Sequence, residues 1–250
     1  MVATNPSGLA DRLFQKAPPD ATHTVVLWTK NPFNILYNDK LRSQLQKYNQ
    51  LILHLSITGL GGTLLEPKVP KPEKIFSLLP QLSDFFEGSE RIIVRFDPVV
   101  HMQMPDGSYV CNLAFFDSLA PILSHNDIKQ VVTSWVHIYG KVAKRLEKFG
   151  IKVIDITKEK QRQEGEWLKE RARDYGIQLQ GCCVPSWPRS SCIDGQLYNQ
   201  LHPQGSVTST KRAAGQRKLC GCTKSLDIGW YHACIHGCVY CYGNPKLYNL

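Results

Sequence analysis

The chain has 250 residues, 42% of them apolar, 20% charged and 10% aromatic, which supports one sizeable core and excludes a disordered chain. Its formal charge of +9 comes from 30 Lys plus Arg against 21 Asp plus Glu, and the excess sits at one end, residues 141–250 carrying 18 basic and 9 acidic groups. No apolar run approaches the roughly 18 residues of a membrane-spanning helix, and the opening MVATNPSGLADRLFQK has no basic start and apolar stretch of a secretory signal, so the expectation is a soluble, cytoplasmic protein.

Five short apolar runs read as buried strands: His23 to Trp28, Leu51 to Thr58, Arg91 to Asp97, Gln130 to Val136 and Ile177 to Cys183. Helical spacing fills the gaps between them. Asn34 to Tyr48 puts Leu41, Leu45 and Tyr48 on one face, Pro72 to Phe86 opens with a proline suited to a first turn, and Asn112 to Leu123 follows. Tyr139 to Phe149 and Gln161 to Tyr175 each end at a glycine, Gly150 and Gly176. Ile151 to Thr157 fits a sixth strand or an extended connector.

Repeated strand, helix, strand succession implies parallel pairing with right-handed crossovers, hence an α/β fold. Five or six units in under 200 residues fall short of an eight-fold barrel, leaving an incomplete (β/α) barrel or an open sheet. In either, residues at and just past the strands' C-terminal ends line the site. Lys30, Arg95 and Asp97 are the catalytic candidates on that ground. The expected organisation is a core over 1–204, a basic flexible connector over 205–219, and a Cys-rich segment over 220–250 that completes the same domain.

Eight of the nine cysteines lie from Cys182 onward; Cys111 stands apart and is expected to pack as a small apolar residue. In a reducing compartment clustered cysteines point to metal before disulfides. Cys234, Cys238 and Cys241 have the spacing C-x3-C-x2-C, and three thiolates on a tight loop fit three corners of a [4Fe-4S] cube. Gly237 lets that loop fold back at a position suited to positive φ. Zinc prefers four N or S ligands, so it becomes the alternative if Cys220 and Cys222 join, with His232 or His236 as spares. Cys220, Cys222 and Cys192 are also a candidate second metal set, with Cys182 or Cys183 adjoining.

The order CIHGCVYC resembles the signature of the radical S-adenosylmethionine superfamily, with Tyr240 in the aromatic slot before the last cysteine. The resemblance implies that Cys234, Cys238 and Cys241 ligate the cluster, that S-adenosylmethionine chelates the open iron with its adenine near Tyr240, and that a flavodoxin or ferredoxin supplies the electron. By the same analogy Thr58 and Gly59 contact the cofactor. That superfamily usually carries its cysteines after the first strand of the barrel; their C-terminal place here implies a circular permutation, which closely spaced termini tolerate. A wider resemblance, carried by WTKNP, ITG with LEPKVP, RFDP, CIDGQL and CGCTKSLDIGWYHACIHGCVYCY, is to domain-of-unknown-function family 1848. The Arg-Thr-Asp segment with which its members usually open is absent before His23. The alternative reading is a binding protein stapled by zinc through Cys220, Cys222 and two of the C-terminal cysteines, with Lys211, Arg212, Arg217 and Lys218 as an electrostatic footprint for nucleic acid.

Overall fold

Each of the five apolar runs forms a strand of one parallel sheet in the computed structural model, which describes residues 2–229 and 233–248. The strands in chain order are β1 (Val25–Thr29), β2 (Leu51–Ser56), β3 (Ile92–Val99), β4 (His101–Gln103), β5 (Tyr109–Cys111), β6 (Gln130–Trp135), β7 (Lys152–Val153) and β8 (Gln178–Gly181). The helices are α1 (Pro6–Lys16), α2 (Phe33–Tyr37), α3 (Asp39–Leu45), α4 (Pro72–Phe76), α5 (Leu79–Phe85), α6 (Phe116–His125), α7 (Gly140–Lys148), α8 (Lys158–Asp174) and α9 (Gly195–Leu201).

The main sheet runs β1-β2-β3-β6-β8, parallel at every pairing. Spatial order follows chain order, so the strands step across the sheet in one direction without the reversal of a doubly wound sheet. Right-handed crossovers then put the intervening helices on one face. The core agrees. Leu27, Leu53, Leu55, Val94, Phe96 and Val131 pack into one large cluster with α1, α3, α5 and α6 residues such as Leu13, Leu41, Leu82 and Leu119. The alternate residues Val26, Ile52, Ile93 and Val132 face the other way, where Tyr198, Leu197 and Leu201 of α9 cover them. Burial on both faces is why these strands read as unbroken apolar runs. Among the described residues the sheet is open at β1 and β8, each having one partner.

Two of the expected helices break, one at a polar and one at an imino residue. Asn38 caps α3, its Oδ1 accepting from Leu41 N at 3.0 Å, which divides Asn34 to Tyr48 into α2 and α3. Pro80 in the first turn of α5 separates it from α4. The expected Asn112 helix begins as a 3-10 turn over Leu113–Phe115 before α6. Thr157 caps α8 one turn earlier than its apolar face suggests, and Gly150 and Gly176 end α7 and α8 with φ of 64° and 65°. Within Ile151 to Thr157 only β7 is a strand, and it joins a separate three-stranded antiparallel sheet, β5-β4-β7, beside the end of β3.

Candidate functional site

The loops after β1 and β2 bring Lys30, Thr58 and Glu66 together beneath the C-terminal cysteine loop. Glu66 is 1% exposed. Its Oε1 accepts from Lys30 Nζ at 2.9 Å, from Thr58 Oγ1 at 2.7 Å and from the Tyr240 hydroxyl, while Oε2 is buried with no hydrogen-bond partner among the described residues. Burial works against the charge on Lys30, but Glu66 and then Cys238 outweigh it and leave the ammonium's pKa raised. Burial, with Glu66 adding, lifts the Tyr240 phenol well above its usual range, so it remains a donor.

The cysteine loop is fastened to this floor by backbone. Val239 N donates to Leu65 O at 3.1 Å, Lys68 N to His236 O at 3.1 Å, and Arg145 of α7 donates to the carbonyls of Val239 and Cys241 at 3.1 and 2.6 Å. Apolar contact joins Cys238, Val239 and Tyr240 to Leu60, Leu65 and Val69. The loop closes on itself through Cys234 N to Asn244 O and Lys246 N to Cys234 O. Gly237 has φ of 68°, and a Cβ there would meet the Tyr248 ring at 2.8 Å, which accounts for the expected glycine. Burial pushes the Cys238 thiol up, with Lys30 pulling the other way.

Toward the middle of the sheet, Arg95 pairs with Asp97, and Asp97 also accepts from Ser134 Oγ at 2.5 Å. Arg95 Nη1 lies 2.9 Å from Cys192 Sγ. The charge of Asp97 is felt by Lys30, Tyr240 and Tyr242 on one side and by Cys182 on the other, so it stands between the two groups of cysteines. Lys30, Arg95, Asp97, Thr58 and Tyr240 therefore meet at one end of the sheet. Gly59 adjoins Thr58 with φ of 79° and packs on Phe115, whose ring a Cβ would meet at 2.5 Å.

The model of a domain of unknown function (DUF1848) matches residues 1–243, a span that takes in this whole arrangement. The chain belongs to the DUF1848 family. No curated protein and no solved structure matches it. Among the described residues no helix of this DUF1848 chain is long and apolar enough to cross a membrane.

Of the candidate second set, Cys192 and Cys222 lie side by side, with Cys222 Sγ accepting from the backbone of Cys192 at 3.2 Å. Cys220 adjoins Cys222, and Cys182 and Cys183 join them. His236 gives its Nδ1 to Lys68 O at 3.2 Å, and His232 lies outside the described residues. No three described His, Cys, Asp or Glu side chains already close on a single ion; the thiolates of a cluster bind separate irons and stand further apart than the ligands of one ion. Residues 205–219 carry no helix or strand, but Arg212 donates to the carbonyls of Cys220, Arg217 and Lys218, and Arg217 reaches Cys182 Sγ at 3.4 Å. Two of the four basic groups of that stretch thus hold the chain's own structure.

Three residues escaped sequence reasoning. Glu66 is one carboxylate in a polar loop, and its only signal is the LEPKVP segment that contains it. Cys111 lies 4.0 Å from His101 Nε2, which also meets Glu164 Oε2 at 3.1 Å; burial opposes the Cys111 thiolate but His101 outweighs it and lowers the pKa. The expected apolar packing of Cys111 is accordingly replaced by a polar contact.

His54 is the third. It is 0% exposed, stacks on Trp28 at 4.7 Å, and among the described residues neither ring nitrogen makes a well-formed hydrogen bond, the Cys192 backbone being the polar group beside it. Burial, with the Arg95 charge adding, lowers its pKa from 6.5 to about 3. The unfolded chain takes up this proton near pH 6.5 and the folded chain refuses it, so the contribution of neutral His54 is complete above pH 6.5 and is lost as pH falls toward about 3. Urea unfolding between pH 7 and 4 is expected to lose up to ~1.4 kcal/mol per pH unit from this group. His54→Leu should flatten that slope by one proton, and an unchanged slope would remove His54 as its source.

Proposed function

We propose that this chain is a radical S-adenosylmethionine-type enzyme, with Cys234, Cys238 and Cys241 holding a [4Fe-4S] cluster at the mouth of an incomplete, circularly permuted (β/α) barrel. The observation that carries the reading is the seat of the C-terminal loop. A C-x3-C-x2-C segment over two hundred residues from β1 is hydrogen-bonded onto the loop that leaves β2, at the sheet end where parallel α/β folds keep their sites. The one-directional strand order, helices on one face and α9 on the other, supports the barrel reading. Three thiols with the half-buried Lys30 ammonium beside Cys238 fit an anionic cluster, and Glu66 Oε2, without a hydrogen-bond partner among the described residues, marks a polar group beside the loop with lone pairs free.

When bound, such a cluster supplies the electron that opens the sulfonium of S-adenosylmethionine. The chain's residues do the rest. Lys30 sets a positive charge beside Cys238. Glu66 holds Lys30, Thr58 and Tyr240 in one array, and the buried Tyr240 ring keeps water from the loop. Thr58 and Gly59, in the loop just past β2, face the cofactor, and Arg95 and Asp97, with Lys30, orient the substrate. A flavodoxin or ferredoxin is the proposed electron donor. The test is anaerobic reconstitution with iron and sulfide followed by incubation with S-adenosylmethionine and a strong reductant. About four irons and four sulfides per chain and release of 5′-deoxyadenosine are expected; a folded chain that takes up neither iron nor sulfide overturns the proposal.

A further inference from the structure

Five of the nine cysteines meet away from the C-terminal loop, at the end of the sheet where β8 stops. Cys182 Sγ lies 4.0 Å from Cys192 Sγ. Cys192 adjoins Cys222, Cys222 adjoins Cys220, Cys220 adjoins Cys183, and Cys183 closes the succession on Cys182. The backbone is built to bring them there. Thr223 N donates to Ile193 O at 2.9 Å and Gly195 N to Thr223 Oγ1 at 3.0 Å, which lays residues 220–223 against the start of α9. Between Cys220 and Cys222 stands Gly221, where a Cβ would lie 2.8 Å from Ser190 O and 2.6 Å from Ser191 Oγ. Only glycine lets the two strands of chain approach so closely.

The sulfurs also receive donors. Arg95 Nη1 reaches Cys192 at 2.9 Å, Arg217 Nη2 reaches Cys182 at 3.4 Å, and the N–H groups of Cys192 and Ile193 point at Cys222 Sγ at 3.2 and 3.4 Å. A neutral thiol is a weak acceptor, whereas donors around the sulfurs are the usual outer shell of a metal thiolate. The spacing carries the same meaning. With metal–sulfur bonds of ~2.3 Å a tetrahedral site has sulfur–sulfur edges of ~3.8 Å, which the Cys182–Cys192 pair approaches at 4.0 Å, while no three of the thiols already converge on one ion.

We infer that Cys182, Cys192 and Cys222, completed by Cys220 or Cys183, form a second metal centre, a tetrahedral thiolate site for one divalent ion of the zinc type. The ion draws the sulfurs onto itself by rotation about their Cα–Cβ bonds, and each ligating thiol gives its proton to solvent. Arg95 and Arg217 offset the negative charge of the thiolates. The site ties β8, the start of α9 and the 220–223 segment into one unit. It is independent of the cluster and stands or falls separately from it.

The test starts by removing the other cysteines. The full-length Cys234→Ser/Cys238→Ser/Cys241→Ser variant, checked for folding by circular dichroism, is expected to bind about one Zn²⁺ or Co²⁺ per chain, the cobalt form showing thiolate-to-metal charge-transfer absorption. Adding Cys192→Ser should weaken that binding by more than ~100-fold. Because that variant can fail to fold, the unmutated chain provides a second measurement: zinc should slow alkylation of Cys182 and Cys222, read by mass spectrometry of peptides, relative to chelator. A folded triple variant that binds no cobalt overturns the inference, as does a triple variant that retains acid-labile sulfide, or zinc that leaves both alkylation rates unchanged.

Discussion

Lys30→Met is expected to destabilise the fold by about 3–5 kcal/mol. Glu66 is 1% exposed and, among the described residues, Lys30 is the charged side chain it pairs with, at 2.9 Å. Removing the ammonium leaves a carboxylate in a place water does not reach, with only the Thr58 and Tyr240 hydroxyls as donors. The double variant Lys30→Met/Glu66→Gln should recover most of the loss, since a neutral amide oxygen accepts from the same two hydroxyls without an uncompensated charge. Urea denaturation midpoints of the three proteins decide the matter. Equal midpoints for Lys30→Met and the unmutated chain would mean that the Lys30–Glu66 contact adds nothing to stability. The same variant should disturb the cysteine loop, because Glu66 is the anchor of Tyr240.

The second large effect falls on the proposed cluster. Cys238→Ser should bring iron and sulfide after reconstitution to background and abolish 5′-deoxyadenosine, because three thiolates are needed to hold a cube with one open iron. Cys111→Ser should leave both intact, since that side chain meets His101 on β4 and is no part of the C-x3-C-x2-C loop. A zinc staple shared between Cys220, Cys222 and the C-terminal loop would instead make Cys220→Ser and Cys238→Ser about equally damaging to folding. Metal content, sulfide and 5′-deoxyadenosine of the three variants separate these patterns. A Cys238→Ser chain with full iron and sulfide that still makes 5′-deoxyadenosine would end the assignment.

How much of this could be read without coordinates depended on the range of the interaction. The five strands were visible because burial on both faces leaves a continuous apolar run, a local signature. The ends of α7 and α8 were visible because glycine at a left-handed position is local too. The cysteine loop was visible in its spacing, since three thiols that could share one turn must be near in sequence. The helices broken at Asn38 and Pro80 were misread as continuous although the breaking residues were in view, because apolar periodicity runs on across both breaks. The N-terminal helix α1, capped by Asn5, and α9, capped by Asp194, carried the same kind of cap signal.

The rest is non-local. Lys30 and Glu66 are 36 residues apart and meet because β1 and β2 are parallel neighbours whose following loops leave from the same end. His54 sits inside LILHLSIT, where nothing in the run shows that its imidazole faces inward on Trp28 and Arg95; the pairing of Trp28 with His54 across two strands decides it. Cys182, Cys183, Cys192, Cys220 and Cys222 could be named as a candidate second set because clustered thiols invite it, but they have no motif spacing to show that they meet. They converge because β8 ends beside β6, α9 covers the inner face of the sheet, and the 220–223 segment is hydrogen-bonded to the start of α9. Composition and periodicity sufficed for the α/β class, the strands and the first set of thiols, since each is written within a few consecutive residues. The partners of Glu66, the dry seat of His54 and the second set of thiols arise only when distant segments are packed together, because burial and proximity are properties of the folded neighbourhood and not of the stretch of chain that supplies the residue.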